Sequence, residues 1–122
     1  MNNIFEGIAI DICFDCNNNC IFCVNERKGN KNIDKTTSQV KHMMQEVKQF
    51  FGGIIINGGE PTIRKDIVEL ILFAKRLKFK AIMMISNGRM FSYEGFCLKV
   101  LKAGLNTAFV TLQASNAGLH DR

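Results

Sequence analysis

Residues 7–23 read GIAIDICFDCNNNCIFC, an apolar strand pattern that runs directly into a polar loop carrying three cysteines. Apolar side chains at every second position predict a first β-strand over Gly7–Phe14. These side chains are Ile8, Ile10, Ile12 and Phe14. The polar stretch Asn17–Lys35 predicts a long loop, because consecutive asparagines tolerate left-handed backbone conformations. The cysteines therefore follow the carboxyl end of a strand.

Helix and strand patterns alternate along the rest of the chain. A helix is predicted to begin near Thr36–Ser38, which offer N-cap hydroxyl groups, and Gly52–Gly53 is predicted to end it. Its apolar side chains recur at helical spacing and are Val40, Met43, Met44, Val47, Phe50 and Phe51. The continuous apolar run Ile54–Ile56 predicts a parallel strand that is covered on both faces.

The second half of the chain repeats this order. A helix is predicted over about Lys65–Leu77, a buried strand over Ala81–Ile85 and a fourth strand over Thr107–Leu112. Between the last two, Ser92 is predicted to cap a third helix that ends at Gly104. The predicted inner face of this helix is Tyr93, Phe96, Cys97, Val100 and Leu101. Such alternation indicates successive right-handed βαβ units, the α/β class and a parallel sheet of about four β/α units.

Segments whose residues could bind a metal or a ligand follow all four predicted strands. The cysteines follow the first strand, and residues 57–62, 86–89 and 113–116 follow the second, third and fourth. Because the carboxyl ends of parallel strands meet at one edge of the sheet, these segments are expected to form one site.

The three clustered cysteines, Cys16, Cys20 and Cys23, indicate a metal centre. A closed structural zinc site needs four ligands, and an all-cysteine [4Fe–4S] cluster also needs four. Three thiolates leave one metal position open. The candidates for a fourth ligand are Cys13, Cys97, His42 and His120, and none lies at a spacing that recommends it. Cys13 and Cys97 are instead predicted to be buried apolar thiols, and a zinc site stays open as an alternative.

Three motifs together resemble the radical S-adenosylmethionine (radical SAM) superfamily. The first is C-x3-C-x2-C, with the aromatic Phe22 before its last cysteine. The second is Gly58–Thr62, which resembles the family's Gly-Gly-Glu motif, and the third is Ser86–Gly88, which resembles its Ser/Thr-Asn-Gly motif. The resemblance extends from about Ile8 to Arg122. It implies a partial TIM-barrel-like fold.

The resemblance also implies the cofactors and their ligands. Cys16, Cys20 and Cys23 would hold three irons of a [4Fe–4S] cluster, and the amino and carboxylate groups of SAM would chelate the fourth. The residues implied to contact SAM are Phe22, Gly58, Gly59, Glu60, Ser86, Asn87, Gln113 and Ser115. A plain packing role for the first of these, a plain turn at residues 58–60 and a plain turn at residues 86–88 remain alternatives. No catalytic residue is expected beyond the cluster and SAM.

The implied chemistry is reductive cleavage of SAM. A reduced cluster would pass one electron to SAM, giving methionine and a 5′-deoxyadenosyl radical that abstracts a hydrogen atom from substrate. An electron donor such as ferredoxin or flavodoxin would be required. The substrate, whether a peptide, a tRNA or a small molecule, is not indicated by the sequence.

The family core contains six strands, whereas four are predicted here. We therefore expect residues 1–122 to form a single, incomplete radical SAM core domain, with an apolar fourth strand at its open edge. A partner chain or self-association would cover that edge. Two other functions remain open: a truncated, non-catalytic iron–sulfur or electron-transfer module, and a small zinc-binding interaction protein.

Composition sets the remaining bounds. The 122 residues are 47% hydrophobic and 22% charged, which is typical of a globular domain. The apolar run Ala81–Ile85 is far shorter than the ~20 residues that span a bilayer. Five cysteines, an odd number, favour a reducing compartment, and the chain is predicted to be cytoplasmic without membrane association. The net charge of +5 is interpreted as a solvated surface rather than as an RNA-binding patch.

Overall fold

The computed structural model describes residues 6–23 and 34–112, which form a four-stranded parallel sheet and three α-helices. In chain order the elements are β1 Gly7–Asp11, α1 Thr37–Lys48, β2 Gly53–Asn57, α2 Ile67–Arg76, β3 Ala81–Ser86, α3 Glu94–Ala103 and β4 Thr107–Val110. Two short 3₁₀ segments, Pro61–Ile63 and Arg89–Ser92, follow β2 and β3. The predicted α/β class with four β/α units is confirmed.

The strands lie side by side in the order β1-β2-β3-β4. Ile8 pairs with Ile54, and Ile54 pairs in turn with Ile82, so the apolar centres of the first three strands are in register. At the carboxyl edge, the Asn57 side chain donates a 2.9 Å hydrogen bond to the carboxylate of Asp11 on the neighbouring strand. Sequential winding of this kind brings the loops after all four strands to one edge of the sheet.

The core lies between the sheet and the helices. Its fully buried side chains are Ile12, Val40, Met44, Ile54, Ile56, Leu70, Ile71 and Met84. Full burial of an aliphatic side chain of this size contributes about 1.5–3 kcal/mol relative to exposure. These residues hold the loops at the carboxyl edge on a rigid base. In the described ranges, no helix is long and apolar enough to cross a membrane.

The helix ends only partly follow the sequence predictions. Thr36 caps α1 as predicted: its hydroxyl accepts from the Gln39 N–H at 3.2 Å, and the Gln39 side chain accepts from the Thr36 N–H at 2.8 Å. The prediction that Ser92 caps α3 is wrong. Tyr93 is the N-cap residue, and the Ser92 hydroxyl donates to the Arg89 carbonyl, because this segment forms a 3₁₀ turn before the helix begins.

Some predicted boundaries and inner faces also differ from the structure. β1 ends at Asp11 rather than at Phe14, because the chain leaves the regular ladder to begin the loop that carries the cysteines. Phe50, predicted to face inward, is exposed because α1 has already ended at Lys48. Leu101 and Tyr93 are exposed too, and α3 is buried through Val100 and Ala103.

β4 forms an exposed edge, as predicted. Each of its four residues is exposed, and Phe109 and Val110 are 49% and 47% accessible. Among the described residues, β4 pairs with β3 alone. An apolar strand with a free side is a surface that pairs readily with further β-structure.

Candidate iron–sulfur and SAM site

Three loops meet at the carboxyl edge of the sheet. The cysteine loop (residues 12–23) follows β1, the glycine loop (residues 58–60) follows β2, and the asparagine loop (residues 87–89) follows β3. Hydrogen bonds join the glycine loop to each of the other two. The predicted convergence of these three segments is therefore observed. Gln113 and Ser115, predicted to follow the fourth strand at the same edge, lie outside the described residues, as does His120.

Three of the four thiols of the cysteine loop lie near the surface. Cys16 and Cys20 are partly exposed and Cys23 is exposed, and none of the five cysteines, all of which lie in the described ranges, forms a disulfide. The Cys23 N–H donates to the Cys20 carbonyl at 3.2 Å, which forms a tight turn between these two thiols. The Asn18 N–H lies 3.4 Å from the Cys16 sulfur. An amide donor at a thiolate is one of the contacts that tune iron–sulfur clusters.

The donor set is compatible with a cluster. Within residues 6–23 and 34–112, no three His, Cys, Asp or Glu side chains converge on one ion position. A mononuclear zinc site requires such convergence. A [4Fe–4S] cluster does not, because each thiolate binds a different iron of the cube. The separation of Cys16, Cys20 and Cys23 along the loop is thus compatible with three irons.

The two remaining cysteines are poorly placed to supply a fourth thiolate. Cys13 is only 1% exposed, and its sulfur lies against the backbone of Gly58. Cys97 lies on α3 and is half-buried rather than buried as predicted, and its thiol donates to the Phe91 carbonyl at 3.1 Å. Among the described thiols, those of Cys16, Cys20 and Cys23 are therefore the ones at the surface of the site.

The glycine loop packs directly on the base of the cysteine loop. The Gly59 N–H donates to the Cys13 carbonyl, and the Glu60 N–H donates to the Asp15 carbonyl, each at 2.8 Å. A Cβ atom on Gly59 would lie 2.3 Å from the Asp15 carbonyl oxygen and 2.4 Å from that of Phe14. The absence of a side chain therefore permits contact between two loops. No sequence pattern indicated this packing, since the family resemblance implied only a contact between Gly59 and SAM.

Glu60 joins the glycine loop to the asparagine loop. Its side chain is 1% exposed and accepts hydrogen bonds from the Thr62 hydroxyl and N–H, from the Ser86 hydroxyl at 2.7 Å and from the Asn87 N–H at 2.7 Å. All of these donors are neutral. A buried carboxylate without a cationic donor is stabilised by such hydrogen bonds. The predicted contact between Glu60 and the SAM amino group stays a prediction.

Ser86 and Asn87 differ in what they offer to a ligand. The Ser86 hydroxyl is 2% exposed and also accepts from the Gly88 N–H at 3.0 Å. Gly88 has a φ of 82°, so the turn that the sequence suggested is present. The Asn87 side chain leaves that turn and donates to the Asn17 side chain at 2.7 Å.

Phe22 is 58% exposed, which does not suit a core packing role.

Arg64 supports the base of the cysteine loop, a role that sequence reasoning missed. Its Nη1 donates to the carbonyl groups of Ile12 and Lys35, each at 2.7 Å, while its other nitrogens donate to Asp66 at 2.8 and 2.6 Å. The hydrogen bond from Arg64 holds the pKa of the Asp66 carboxyl below its ordinary value. The i,i+2 spacing of the arginine and the aspartate was a signal for their pairing, but no sequence signal pointed to the two carbonyl groups.

Burial raises the pKa of the Cys13 thiol from 9.0 to about 11, and the nearby negative charge of Asp34 adds to the effect. The unfolded chain loses this proton near pH 9, whereas the folded chain keeps it until pH 11. The contribution of Cys13 to stability is therefore full below pH 9 and falls as the pH rises from 9 to 11.

We expect Cys13→Ala to remove this part of the pH dependence. The measurement is urea unfolding of the metal-free, reduced chain at several pH values from 8 to 11. All other side chains are the same in the two proteins, so their contributions cancel in the comparison. Identical slopes of unfolding free energy against pH in the two proteins would contradict the prediction.

Parallel β/α proteins with a cysteine loop at the carboxyl edge of the sheet are the class that this fold and site define. Within that class, the family model of the Radical SAM superfamily matches residues 10–122. The chain therefore belongs to the radical SAM superfamily, a family that carries iron–sulfur and SAM binding. The resemblance inferred from the three motifs is confirmed.

Two curated relatives illustrate its position in the family. The chain is 31% identical over 105 residues to the 7,8-dihydro-6-hydroxymethylpterin dimethyltransferase of Methanocaldococcus jannaschii, covering 83% of this chain and 21% of the relative. It is 30% identical over 110 residues to a probable GTP 3′,8-cyclase of Saccharolobus islandicus, covering 89% of this chain and 35% of the relative. The chain thus spans about a fifth to a third of these relatives.

Solved structures show the same fold. The crystal structure of BtrN in complex with AdoMet and 2-DOIA matches with a TM-score of 0.75 at 21% identity, over 96% of this chain and 49% of that one. Streptococcus suis SuiB matches with a TM-score of 0.73 at 20% identity, over 94% of this chain and 26% of that one. These neighbours are radical SAM proteins with TIM-barrel-like folds, so the predicted partial barrel is confirmed.

Proposed function

We propose that this chain binds a [4Fe–4S] cluster through Cys16, Cys20 and Cys23, binds SAM beside it, and forms the SAM-cleaving part of a radical SAM enzyme. The observation that carries the proposal is the set of three surface-accessible thiols on a loop that is hydrogen-bonded to the glycine loop and the asparagine loop. Family membership supports it, because the superfamily carries both cofactors.

The role of each loop follows from its position. The three thiolates would hold three irons, which leaves the fourth to the amino and carboxylate groups of SAM. When bound, the reduced cluster supplies the electron that cleaves SAM to methionine and a 5′-deoxyadenosyl radical, which takes a hydrogen atom from substrate. The backbone of Gly58–Glu60 and the side chain of Asn87 would orient SAM next to the cysteine loop.

The other SAM contacts are assigned by chemistry and place in the chain. Phe22, whose ring is exposed beside Cys23, would pack against the adenine of SAM. Gln113 and Ser115 would contact its ribose hydroxyls or carboxylate. The carboxyl group of Glu60 would contact the SAM ammonium group, as the Gly-Gly-Glu resemblance implies, since its present donors are all neutral. Ser86 would act through Glu60, to which its hydroxyl donates.

The proposal specifies the reductant and the substrate only by chemical class. A low-potential carrier such as ferredoxin or flavodoxin would reduce the cluster, and the substrate would be a peptide, a tRNA or a small molecule. The exposed edge of β4 would be covered by further protein, either a partner chain or a second copy. In that arrangement residues 1–122 are a single, incomplete core domain.

That edge also favours a second candidate function. Because β4 is exposed and the chain spans 21% to 49% of the relatives and of the SAM-bound structure, the chain alone would bind a cluster without cleaving SAM. It would then be a non-catalytic iron–sulfur module. Cleavage of SAM separates this candidate from the first.

The test is formation of 5′-deoxyadenosine by the anaerobically reconstituted chain with dithionite and SAM. We expect methionine and 5′-deoxyadenosine in equal amounts, since each cleavage produces one of each. The same protein without dithionite is the control. Full iron loading and SAM binding without any 5′-deoxyadenosine would exclude the enzyme for this chain and leave the iron–sulfur module.

A further inference from the structure

Two side chains of the asparagine loop contact the cysteine loop between Cys16 and Cys20. The Nη1 atom of Arg89 donates to the Asn17 carbonyl at 2.7 Å and to the Asn18 side-chain oxygen at 2.8 Å. The Nδ2 atom of Asn87 donates to the Asn17 side-chain oxygen at 2.7 Å and lies 3.9 Å from the Cys16 sulfur. One loop therefore contacts both asparagines that directly follow Cys16.

We propose that Asn87 and Arg89 form a clasp that shapes the Cys16–Cys20 segment before any cluster binds, and that Arg89 then sets the redox balance of the bound cluster. The second half of this inference rests on the proposed function. With respect to the cluster both residues are positioning residues, because they act on it through the loop that carries its ligands, whatever contact Asn87 makes with SAM.

Two hydrogen bonds hold Asn87 itself in place. The Asn87 N–H donates to the buried carboxylate of Glu60 at 2.7 Å, which fixes the backbone of Asn87 to the floor of the site. Its side-chain oxygen accepts from the Arg89 N–H at 3.1 Å, which fixes its amide group as well. A side chain held at both ends presents its remaining N–H groups to the cysteine loop in one orientation.

The segment that the clasp holds has little structure of its own. Residues 12–20 of the cysteine loop lie outside helices and strands, and Asn17 and Asn19 are exposed. An ordered loop with few internal hydrogen bonds depends on external contacts for its shape. Because Cys16 and Cys20 flank the three asparagines, fixing Asn17 and Asn18 also restricts the separation of the two thiols.

The charge of Arg89 has a separate consequence. A cluster bound to three thiolates becomes more negative by one charge when it is reduced. A guanidinium group hydrogen-bonded to the ligand loop stabilises the reduced form by Coulombic attraction. Loss of this positive charge should therefore lower the midpoint potential of the cluster.

The first experiment uses the metal-free, reduced chain and needs no cofactor. Cys16 and Cys23 are alkylated with iodoacetamide for short times, and the modified peptides are measured by mass spectrometry. In the variants Arg89→Gln and Asn87→Ser/Arg89→Gln we expect the alkylation rate of Cys16, relative to exposed Cys23, to rise about threefold or more, because the loop opens more often. An unchanged ratio overturns the clasp.

Arg76→Gln is the matched control. It removes the same charge from an exposed position in the last turn of α2, at the opposite edge of the sheet from the cysteine loop. Its ratio of Cys16 to Cys23 alkylation should equal that of the unmodified chain. An equal rise in Arg76→Gln and in Arg89→Gln would assign the effect to net charge and would also overturn the clasp.

The second experiment is a redox titration of the reconstituted chain. In Arg89→Gln we expect the ratio of reduced to oxidised cluster at a fixed potential to fall about threefold, which is about 30 mV at 59 mV per tenfold for one electron. Arg89→Lys should restore the ratio, since it restores the charge. Equal potentials for Arg89→Gln and Arg76→Gln overturn the assignment of the redox balance to Arg89.

The clasp and the proposed function can be overturned independently of each other. If neither the unmodified protein nor any variant takes up iron, the proposed function fails. The alkylation ratio then still tests whether the clasp exists. If the chain takes up iron and the alkylation ratio is unchanged in both variants, the clasp fails while the proposed function stands.

Discussion

Cys20→Ser is expected to lower the iron bound after anaerobic reconstitution from about four atoms per chain to less than one. Cys20 is the central one of the three proposed ligands, and its loss leaves only Cys16 and Cys23 to hold the cluster. A serine hydroxyl ionises far less readily than a thiol and is a harder ligand, so it does not replace the thiolate. Iron and acid-labile sulfide per chain, with the absorbance of the protein, measure the effect.

Cys97→Ser is the matched control for this change. Cys97 lies on α3, and a serine hydroxyl there can keep the hydrogen bond that the thiol donates to the Phe91 carbonyl. We expect its iron content to equal that of the unmodified chain. Full loading of Cys20→Ser, or equal losses in the two variants, would contradict the assignment of the ligands.

Gly59→Ala is expected to destabilise the fold by about 3 kcal/mol and to reduce cluster loading with it. The added Cβ would lie 2.3 Å from the Asp15 carbonyl oxygen and 2.4 Å from that of Phe14, both of which are backbone atoms. Relief of this clash requires the glycine and cysteine loops to separate, which breaks the hydrogen bond from the Gly59 N–H to the Cys13 carbonyl. Urea unfolding of the metal-free chain measures the loss.

The same substitution at Gly95 provides the control. Gly95 lies within α3, and a Cβ there meets no atom within 4 Å. Because alanine favours the helix over glycine, Gly95→Ala should stabilise the chain by about 0.5–1 kcal/mol. Opposite signs for the two alanine variants are the expected result. A loss of less than about 1 kcal/mol in Gly59→Ala would show that the two loops do not need their close contact.

The order of the elements and the position of the site were predictable because both depend on local patterns. The alternating residues of Gly7–Phe14 and the apolar run Ile54–Ile56 indicated strands, and the topology of parallel sheets then placed the loops after them at one edge. The prediction of a metal centre required only the spacing and the number of the three cysteines. The detailed assignment of SAM contacts depended on the family resemblance.

Contacts between loops were not predictable from these patterns. Arg64 bonds to the carbonyl of Ile12, and Arg89 bonds to Asn17, across long separations in sequence. Such contacts depend on the backbone path of irregular segments, for which neither periodicity nor propensity gives a signal. The same limit explains Ser92, whose hydroxyl was assigned to a helix cap but donates within a 3₁₀ turn.

The role of the glycine loop shows how the structure changes an interpretation. The family resemblance implied that Gly58 and Gly59 contact SAM, an approach that the lack of a side chain would permit. The structure shows that their missing side chains first admit the backbone of Cys13–Asp15. Both functions use the same property of glycine, but only the second is visible in the contacts of the described residues. The cysteine, glycine and asparagine loops are consequently one packed unit.

The most direct test of a cluster with an iron open to SAM is electron paramagnetic resonance of the reduced, anaerobically reconstituted chain, recorded with and without SAM. A [4Fe–4S]⁺ cluster with three thiolate ligands should give a signal whose g-values shift when SAM is added, because SAM binds the iron that lacks a protein ligand. A cluster signal that is unaffected by saturating SAM, or no cluster signal although Cys16, Cys20 and Cys23 are intact, would contradict that assignment.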